Sequence, residues 1–529
     1  MKSTKTRSPL PTAASLAIAI FSAGSLSAEI KPNPLFTDGA VLQRGQAVPV
    51  WGTARDGEKV TVELGTQKLS TTAKEGKWRV DLQPLTAGGP FTMTLTGDNT
   101  VTVKNLLVGE VWICSGQSNM DYRFANSSTA AEDGPKADFP KIRMFTVDKT
   151  PSLTPVAERG GSWVESSPGT VGKFSAVGYY FARDLYQKLG VPVGMIHTSW
   201  GGTPAQAWTS IEGFGNAPEL QDYVAAAKKA LESQPAGLAA KVEQYNTAKK
   251  AWDESVGNAY QKTLNQWKMA SASAKKEGKP QPPKPEPSTP APVSPPNPGS
   301  SPNFPTTLYN GMVAPLVPYA IKGAIWYQGE SNAGNSKQYR TLFPAMIADW
   351  RGKWKQGDFP FLFVQIAPFN GQPPEIREAQ LLTLAKSKNT AMVVTTDVGN
   401  ATDIHPKAKR PVGQRLALAA LALSYGEKIE YSGPLYQSMK VQGDKVSLSF
   451  SHVGGGLVAK GGELKGFTVA GADGKFVPAK AEIQGAQVIV SAAGVSNPKA
   501  VRYGWANVPD VNLTNKEDLP ASPFRTDVD

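Results

Sequence analysis

A serine follows the end of a predicted strand in the motif Gly116-Gln117-Ser118-Asn119-Met120. The residues VGEVWICSG before it are apolar and β-prone, so we expect Ser118 at the carboxyl edge of a parallel sheet, where α/β proteins place their sites. The motif is not the G-x-S-x-G elbow of α/β-hydrolases, because Met120 stands where the second glycine would be. Ser118 is therefore either a nucleophile or a helix N-cap, which is the commoner role of serine in such a turn.

A serine nucleophile needs a neighbouring base, and the sequence contains three histidines. His197 lies within the strand-like VPVGMIHTS, which favours a place in the core, and His452 lies in a C-terminal β region, which favours a structural role. His405 follows the strand-like AMVVTTDVG, with Asp403 two residues before it. An aspartate so placed can hold the imidazole tautomer, although an Asp-x-His pair is also common as a loop cap. The pattern indicates His405 as the candidate general base.

Acyl transfer also needs hydrogen-bond donors for the developing oxyanion. The loop SWGGT follows the strand-like MIHT, and Gly201 and Gly202 allow a backbone N–H to approach a ligand closely. The loop QGESN follows the strand-like GAIWY, and Gln328 offers a side-chain amide. Each loop alone can be an ordinary turn. Polar or glycine-bearing loops at four strand ends together indicate one site for acyl transfer.

The elements that must position these loops form an α/β pattern between residues 106 and 425. Apolar strand-like runs alternate there with amphipathic helix-like runs, which predicts a mostly parallel sheet covered by helices on both faces. Residues 29–105 and 426–529 consist of short β-prone runs separated by turns, so we expect a β module, sandwich-like in form, on each side of the α/β domain.

A long insertion, residues 211–305, interrupts the α/β domain. Its first part carries apolar residues at helical spacing, from Leu238 to Trp267. Its second part is a proline-rich tract, which is typical of an extended polyproline-like chain. We expect this tract to act as a flexible strap; contact with the substrate is the alternative.

Composition excludes several classes of protein. The chain has 529 residues and one cysteine, Cys114, which excludes a cysteine-rich zinc module, an iron–sulfur cluster and a disulfide within the monomer. The net charge of +12 is spread along the chain and so favours no nucleic-acid partner. Residues 1–28 combine basic residues, a short apolar run and small residues, which predicts a cleaved signal peptide and a periplasmic or secreted protein. No later run is apolar enough to span a membrane.

These motifs together resemble the sialate O-acetylesterase family. The resemblance rests on GEVWICSGQSNM, SWGGTPAQAW, LYNGMVAPL with IKGAIWYQGESN, and DIHPKAKRPVGQRLA, and it covers the whole α/β region. The family belongs to the SGNH (GDSL-like) hydrolases and includes acetylesterases of plant-wall polysaccharides. The resemblance implies a three-layer α/β SGNH domain and a serine mechanism without metal or other cofactor.

The resemblance also implies a role for each matched residue. Ser118 would be the nucleophile, His405 the general base and Asp403 the third member of the triad. The oxyanion donors would be the Ser118 N–H, a glycine N–H from Gly201 or Gly202, and the Gln328 side chain.

The sequence departs from the superfamily pattern at two places. An aspartate is usual three residues before the histidine, but Thr402 holds that position, so Asp397 is a second candidate for the acid. An asparagine is usual in the third block, where this chain has Gln328, so Ser331 and Asn332 are reserve donors. We expect substrate contacts at a further set of residues: Asn119, Trp200, Trp208 and Glu330.

The expected activity is removal of acetyl groups from an O-acetylated glycan by a secreted enzyme, the glycan being sialic acid or a plant-wall polysaccharide such as xyloglucan or xylan. Two alternatives stay open on the sequence. One is a glycan-binding protein that has the fold without the activity, and the other is an esterase of lipids or thioesters.

Overall fold

The computed structural model describes residues 29–233, 238–293 and 297–527. The predicted signal peptide, residues 1–28, lies outside the described residues. Within the described ranges, no helix is both long and apolar enough to cross a bilayer.

The first three quarters of the chain contain a mixed set of strands. The N-terminal strands are β1 Lys31–Pro32, β2 Val41–Gln43, β3 Val48–Thr53, β4 Lys59–Leu64, β5 Gln67–Thr72, β6 Lys77–Leu82, β7 Gly88–Thr96 and β8 Thr100–Gly116. The strands that follow are β9 Phe139–Thr146, β10 Trp163–Ser166, β11 Val193–Ser199, β12 Gly323–Tyr327, β13 Phe361–Val364 and β14 Thr390–Val393.

The helices mostly alternate with the second set of strands. They are α1 Ser118–Asp121, α2 Ala130–Asp133, α3 Ala176–Leu189, α4 Gln221–Glu232, α5 Leu238–Trp252, α6 Asn258–Lys276, α7 Ser336–Trp354, α8 Pro374–Lys386 and α9 Arg410–Tyr425. The helix-like runs of the α/β region coincide with α3, α7, α8 and α9: VGYYFARDLYQKLG, SKQYRTLFPAMIADWRGK, EIREAQLLTLAK and PVGQRLALAALALSYG. The prediction of an α/β fold is confirmed.

The central sheet has the strand order β10-β9-β11-β8-β12-β13-β14. All of these strands run parallel except β10, which pairs antiparallel with β9. Strand β8 is in the middle, with β11 on one side and β12 on the other. The motif loops that follow these three strands therefore leave the same edge of the sheet.

Helices cover both faces of this sheet. Cys114 on β8 pairs with Ile325 on β12, so the next residue, Trp326, points to the opposite face. On the Cys114 side, Gly178 of α3 lies so close that a Cβ there would be 2.9 Å from the cysteine sulfur. On the other side, Trp326 stacks on Phe343 of α7. Helix α9 packs against α3, and α8 packs against α7.

The N-terminal strands are continuous with the central sheet. The first half of β8 pairs antiparallel with β7, and its second half pairs parallel with β11 and β12. The expected boundary between Asn105 and Leu106 thus falls inside one strand rather than in a linker. Asn105 has a left-handed φ of 57°, and its carbonyl and side chain accept hydrogen bonds from Arg143. The register with β7 shifts near this point, but the strand does not end.

The C-terminal strands pair among themselves. They are β15 Leu435–Gln442, β16 Lys445–Ser451, β17 Leu457–Ala459, β18 Phe467–Ala470, β19 Phe476–Pro478, β20 Lys480–Gln484, β21 Gln487–Ser491, β22 Ala500–Tyr503, β23 Leu513–Asn515 and β24 Phe524–Arg525. They form sheets in the orders β15-β16-β21-β20, β17-β23 and β19-β18-β22-β24 around a separate apolar core.

The insertion matches the expectation in its helical part and differs from it in its proline-rich part. The predicted helical part is present as α5 and α6, which are joined by a π-helical turn at Asp253–Gly257. The expectation of a flexible strap is wrong for the described proline-rich residues. Trp252, Tyr260 and Trp267 donate hydrogen bonds to the carbonyls of Thr289, Pro285 and Pro282, so the tract lies antiparallel along the helices. Proline cannot donate, but its carbonyl accepts, so aromatic N–H and O–H groups hold such a chain well.

We predict that Trp267→Ala loosens this tract. Loss of a hydrogen bond of about 1 kcal/mol raises the population of the detached tract roughly fivefold. Proteinase K cleavage within residues 280–293, followed by mass spectrometry, should accelerate by that factor. Met269→Ala is the matched control, because Met269 lies on the same helix and is 75% exposed. Equal cleavage of both variants would contradict the docking.

Candidate active site

Three motif loops start at the same level of the central sheet. Gly116 at the end of β8 is in register with Ser199 on β11 and with Tyr327 on β12. Gly116 has a φ of 137°, and a Cβ there would lie 2.2 Å from the Tyr327 carbonyl oxygen, so only glycine allows this approach. The close contact brings the residue after Gly116 next to the start of the Gln328 loop.

Ser118 is the first residue of the short helix α1 and is half-buried. The N-cap of α1 is Gln117, which disfavours the interpretation of Ser118 as a capping residue. The Gln117 side chain instead accepts from the backbone N–H of Ser331 at 3.2 Å. This bond ties the loop of Ser118 to the loop of Gln328.

Gly201 lies directly against Ser118. A Cβ on Gly201 would be 3.2 Å from the Ser118 Cβ and 3.6 Å from its Cα. Gly202 has a left-handed φ of 76°, and the position of its missing Cβ is open space. Of the two glycines, Gly201 is thus the one in contact with the serine, and a side chain there would crowd it.

Gln328 is fully buried and holds neighbouring loops together. Its Nε2 donates to Asn332 Oδ1 at 2.7 Å and to the Thr203 carbonyl at 3.3 Å, while its Oε1 accepts from Tyr339 at 3.0 Å. Asn332 in turn accepts from the Ala205 N–H. The amide hydrogens of Gln328 already have protein acceptors, so its role as an oxyanion donor stays a prediction and the backbone N–H groups are the readier donors.

His405 and Asp403 lie in the loop that follows β14, and both are partly exposed. Their side chains approach to 3.9 Å between Nδ1 and Oδ1, which is ion-pair distance but too long for a hydrogen bond. The same Oδ1 accepts from the His405 backbone N–H at 2.9 Å. Asp397 forms a bidentate pair with Arg415 at 2.8 and 2.5 Å, so its carboxylate is already engaged.

The pKa of His405 is lowered, mainly by burial and then by the charge of Lys409, while Asp403 opposes the shift. The imidazole is therefore neutral at neutral pH, the form that accepts a proton. The other two histidines have different partners, although His197 Nε2 lies only 3.8 Å from Asp121 Oδ1 on α1. His197 is buried on β11 against Ser199, with burial lowering its pKa to about 4, and His452 pairs with Glu430 at 2.7 Å.

One side chain connects the serine loop with the histidine loop. Asn119, next to Ser118, donates from Nδ2 to the carbonyl of Ile404, next to His405, at 3.0 Å. The same Nδ2 donates to Glu330 at 2.6 Å, and Oδ1 accepts from Lys409. Asn119 is fully buried, so the structure gives it contacts within the protein rather than the expected contact with substrate.

Lys409 is a residue of this site that no sequence pattern indicates. In HPKAKRP it resembles a solvated charge, and buried lysines are rare enough that no sequence signal marks it. Of the two tryptophans expected at the substrate, Trp208 is fully buried and donates to Thr203 at 2.9 Å, whereas Trp200 is half-buried. Within the described ranges, no group of three or more histidine, cysteine or acidic side chains is placed to hold a metal ion.

Comparisons with known proteins identify the family of the chain. Residues 299–422, which include Gln328 and His405, match the family described as "Carbohydrate esterase, sialic acid-specific acetylesterase". The chain is 30% identical to the sialate O-acetylesterase of Mus musculus over 532 residues and 29% identical to that of Rattus norvegicus over 536 residues, with 90% of each chain covered.

A solved structure is also similar over nearly the whole chain. The carbohydrate acetylesterase of Xanthomonas citri superimposes with a TM-score of 0.77 at 35% identity, covering 94% of this chain and 100% of that one. Similarity of sequence and fold leads to one conclusion: this chain belongs to the sialate O-acetylesterase family, whose members are carboxylic ester hydrolases.

Proposed function

We propose that the protein removes acetyl groups from O-acetylated carbohydrates through a serine acyl-enzyme, on an α/β domain of the SGNH type. The observation that carries the proposal is the Asn119 hydrogen bond, because it joins the residue after Ser118 to the residue before His405. The contact of Gly201 with Ser118 supports it further, since a backbone N–H next to the nucleophile can stabilise an oxyanion.

In the proposed mechanism, His405 takes the Ser118 proton while Oγ attacks the acetyl carbonyl carbon. The Ser118 and Gly201 N–H groups stabilise the tetrahedral oxyanion, with Gln328 as a further candidate. Collapse of this intermediate breaks the ester bond, and His405 protonates the departing sugar oxygen, which leaves as a hydroxyl. His405 then activates water, which attacks the acetyl-serine and releases acetate.

The names of the relatives support an acetylated carbohydrate as the substrate class. Sialic acid and plant-wall polysaccharides are the candidate acetylated glycans, and the partly exposed His405 suits an open site that a polymer can reach. Residues 1–28 would direct export to the periplasm or the medium. Acetate release from a panel of O-acetylated sialosides, xylan and xyloglucan oligosaccharides tests the proposal. If only lipid or thioester substrates react, the carbohydrate assignment is overturned.

We predict that Ser118→Ala lowers kcat for an aryl acetate by at least ~10³, because removal of a serine nucleophile leaves only binding and oxyanion stabilisation. A fluorophosphonate probe should label the wild-type protein at Ser118 and leave the variant unlabelled. Circular dichroism and thermal unfolding control for folding. Near wild-type hydrolysis by a folded variant would refute the serine mechanism, and absence of labelling in the wild type would favour a non-catalytic glycan-binding protein.

A second prediction separates the two candidate acids. Asp403→Asn should lower kcat by roughly 10²-fold or more, because the imidazolium loses its neighbouring carboxylate. Asp397→Asn breaks the pair with Arg415, costs on the order of 1 kcal/mol of stability and leaves kcat within a few-fold of wild type. Both variants remove one negative charge from the same loop, so each controls for the other. The reverse ranking of kcat would assign the acid to Asp397.

A further inference from the structure

Three buried polar side chains beside the candidate site have no assigned step in the proposed mechanism. Asn119 and Lys409 are fully buried, and Glu330 is 9% exposed. Asn119 lies between the other two, bonded to Glu330 through Nδ2 and to Lys409 through Oδ1. Burying two ionisable side chains is costly unless their hydrogen bonds are well made, so we ask which function requires both.

The surroundings of Lys409 hold its ammonium group in place. Nζ lies 4.9 Å from the ring centroid of Tyr122 and 5.3 Å from that of Tyr327. The two aromatic faces and the Asn119 oxygen stabilise the ammonium group in place of part of its hydration water. Burial lowers the pKa of Lys409 to about 7, against the opposing charges of Glu330 and Asp403.

The hydrogen bonds permit only one orientation of the Asn119 amide. Nδ2 faces two acceptors, the Glu330 carboxylate and the Ile404 carbonyl, while Oδ1 faces the Lys409 ammonium. A flipped amide would turn its oxygen towards both acceptors and its hydrogens towards the ammonium group. Lys409 and Glu330 therefore both stabilise the orientation in which Asn119 reaches the histidine loop.

We propose that Asn119, Glu330 and Lys409 form one positioning unit that holds the helical turn of Ser118 against the loop of His405. The inference deepens the proposed function and rests on it. Lys409 is the distal member of this unit: it acts on Ser118 through Asn119 and on His405 through its charge, and it is a positioning residue rather than a catalytic one.

The charge of Lys409 provides a readout that a merely structural role would not change. Lys409 and Asp403 are the charges that bear on His405, and the Tyr122 ring stacks on the imidazole. Lys409 in turn faces Glu330, Asp403, Tyr122 and Tyr327. A nearby positive charge disfavours the imidazolium, so removing it raises the pKa of His405. The acid limb of the kcat/KM profile must then move to higher pH.

The test compares Lys409→Met with Lys407→Met across a pH series. Lys407 is exposed on the same loop, so its substitution removes the same charge without touching the cluster. For Lys409→Met we expect kcat to fall roughly tenfold or more because the reacting groups are less well aligned. We also expect a similar KM, slower fluorophosphonate labelling and an acid limb at higher pH. Lys407→Met should match wild type in all of these.

Several outcomes would overturn the inference. The first is that Lys409→Met keeps the wild-type kcat and the wild-type acid limb of the kcat/KM profile. The second is a lower kcat with an unchanged acid limb, which would show a structural role alone. If Lys409→Met fails to fold, the Glu330→Gln/Lys409→Met double variant, which removes both buried charges, is measured by the same criteria. Loss of activity in Ser118→Ala together with wild-type behaviour of Lys409→Met would reject the positioning unit and leave the proposed function standing.

Discussion

The candidate site depends on the side-chain amide of Asn119. A parallel sheet can bring the ends of adjacent strands to one edge, but it does not fix the loops beyond them to within hydrogen-bond distance. Asn119 does so with one donor group shared by the Ile404 carbonyl and Glu330, and Gln117 on the other side of Ser118 accepts from the Ser331 N–H. The residues flanking the serine thus hold the three loops in a single arrangement.

This arrangement depends on buried charge. Glu330 has a raised pKa because of burial, and its Oε2 is buried without a hydrogen-bond partner among the described residues. Lys409 is buried nearby with a lowered pKa. A polar network in low dielectric is strong when it is satisfied and costly when it is broken, so it favours one geometry over near alternatives. Preorganisation of that kind is what an ester hydrolase needs, because its donors must be in place before charge develops.

The regions outside the central sheet are not modules connected only by linkers. Each one pairs with, or forms hydrogen bonds to, a neighbouring element. Strand β8 belongs to the N-terminal strands along its first half and to the central sheet along its second half. The proline-rich tract is held along α5 and α6 by side-chain hydrogen bonds rather than free. The C-terminal strands keep their own core, yet Asn507 donates to the carbonyl of Asn370 in a loop beside the site.

The sequence by itself determined the alternation of strands and helices, and it marked Ser118 and His405 because glycine-bearing loops after apolar runs are local patterns. It also identified His197 as a core residue from its place inside a strand. Only the tertiary structure decided the rest. Trp208 is in the core, Asp397 is engaged by Arg415, and Lys409 is buried beside Asn119, 290 residues away along the chain. Burial and partners of a polar side chain depend on residues distant in sequence, and no local spacing carries that information.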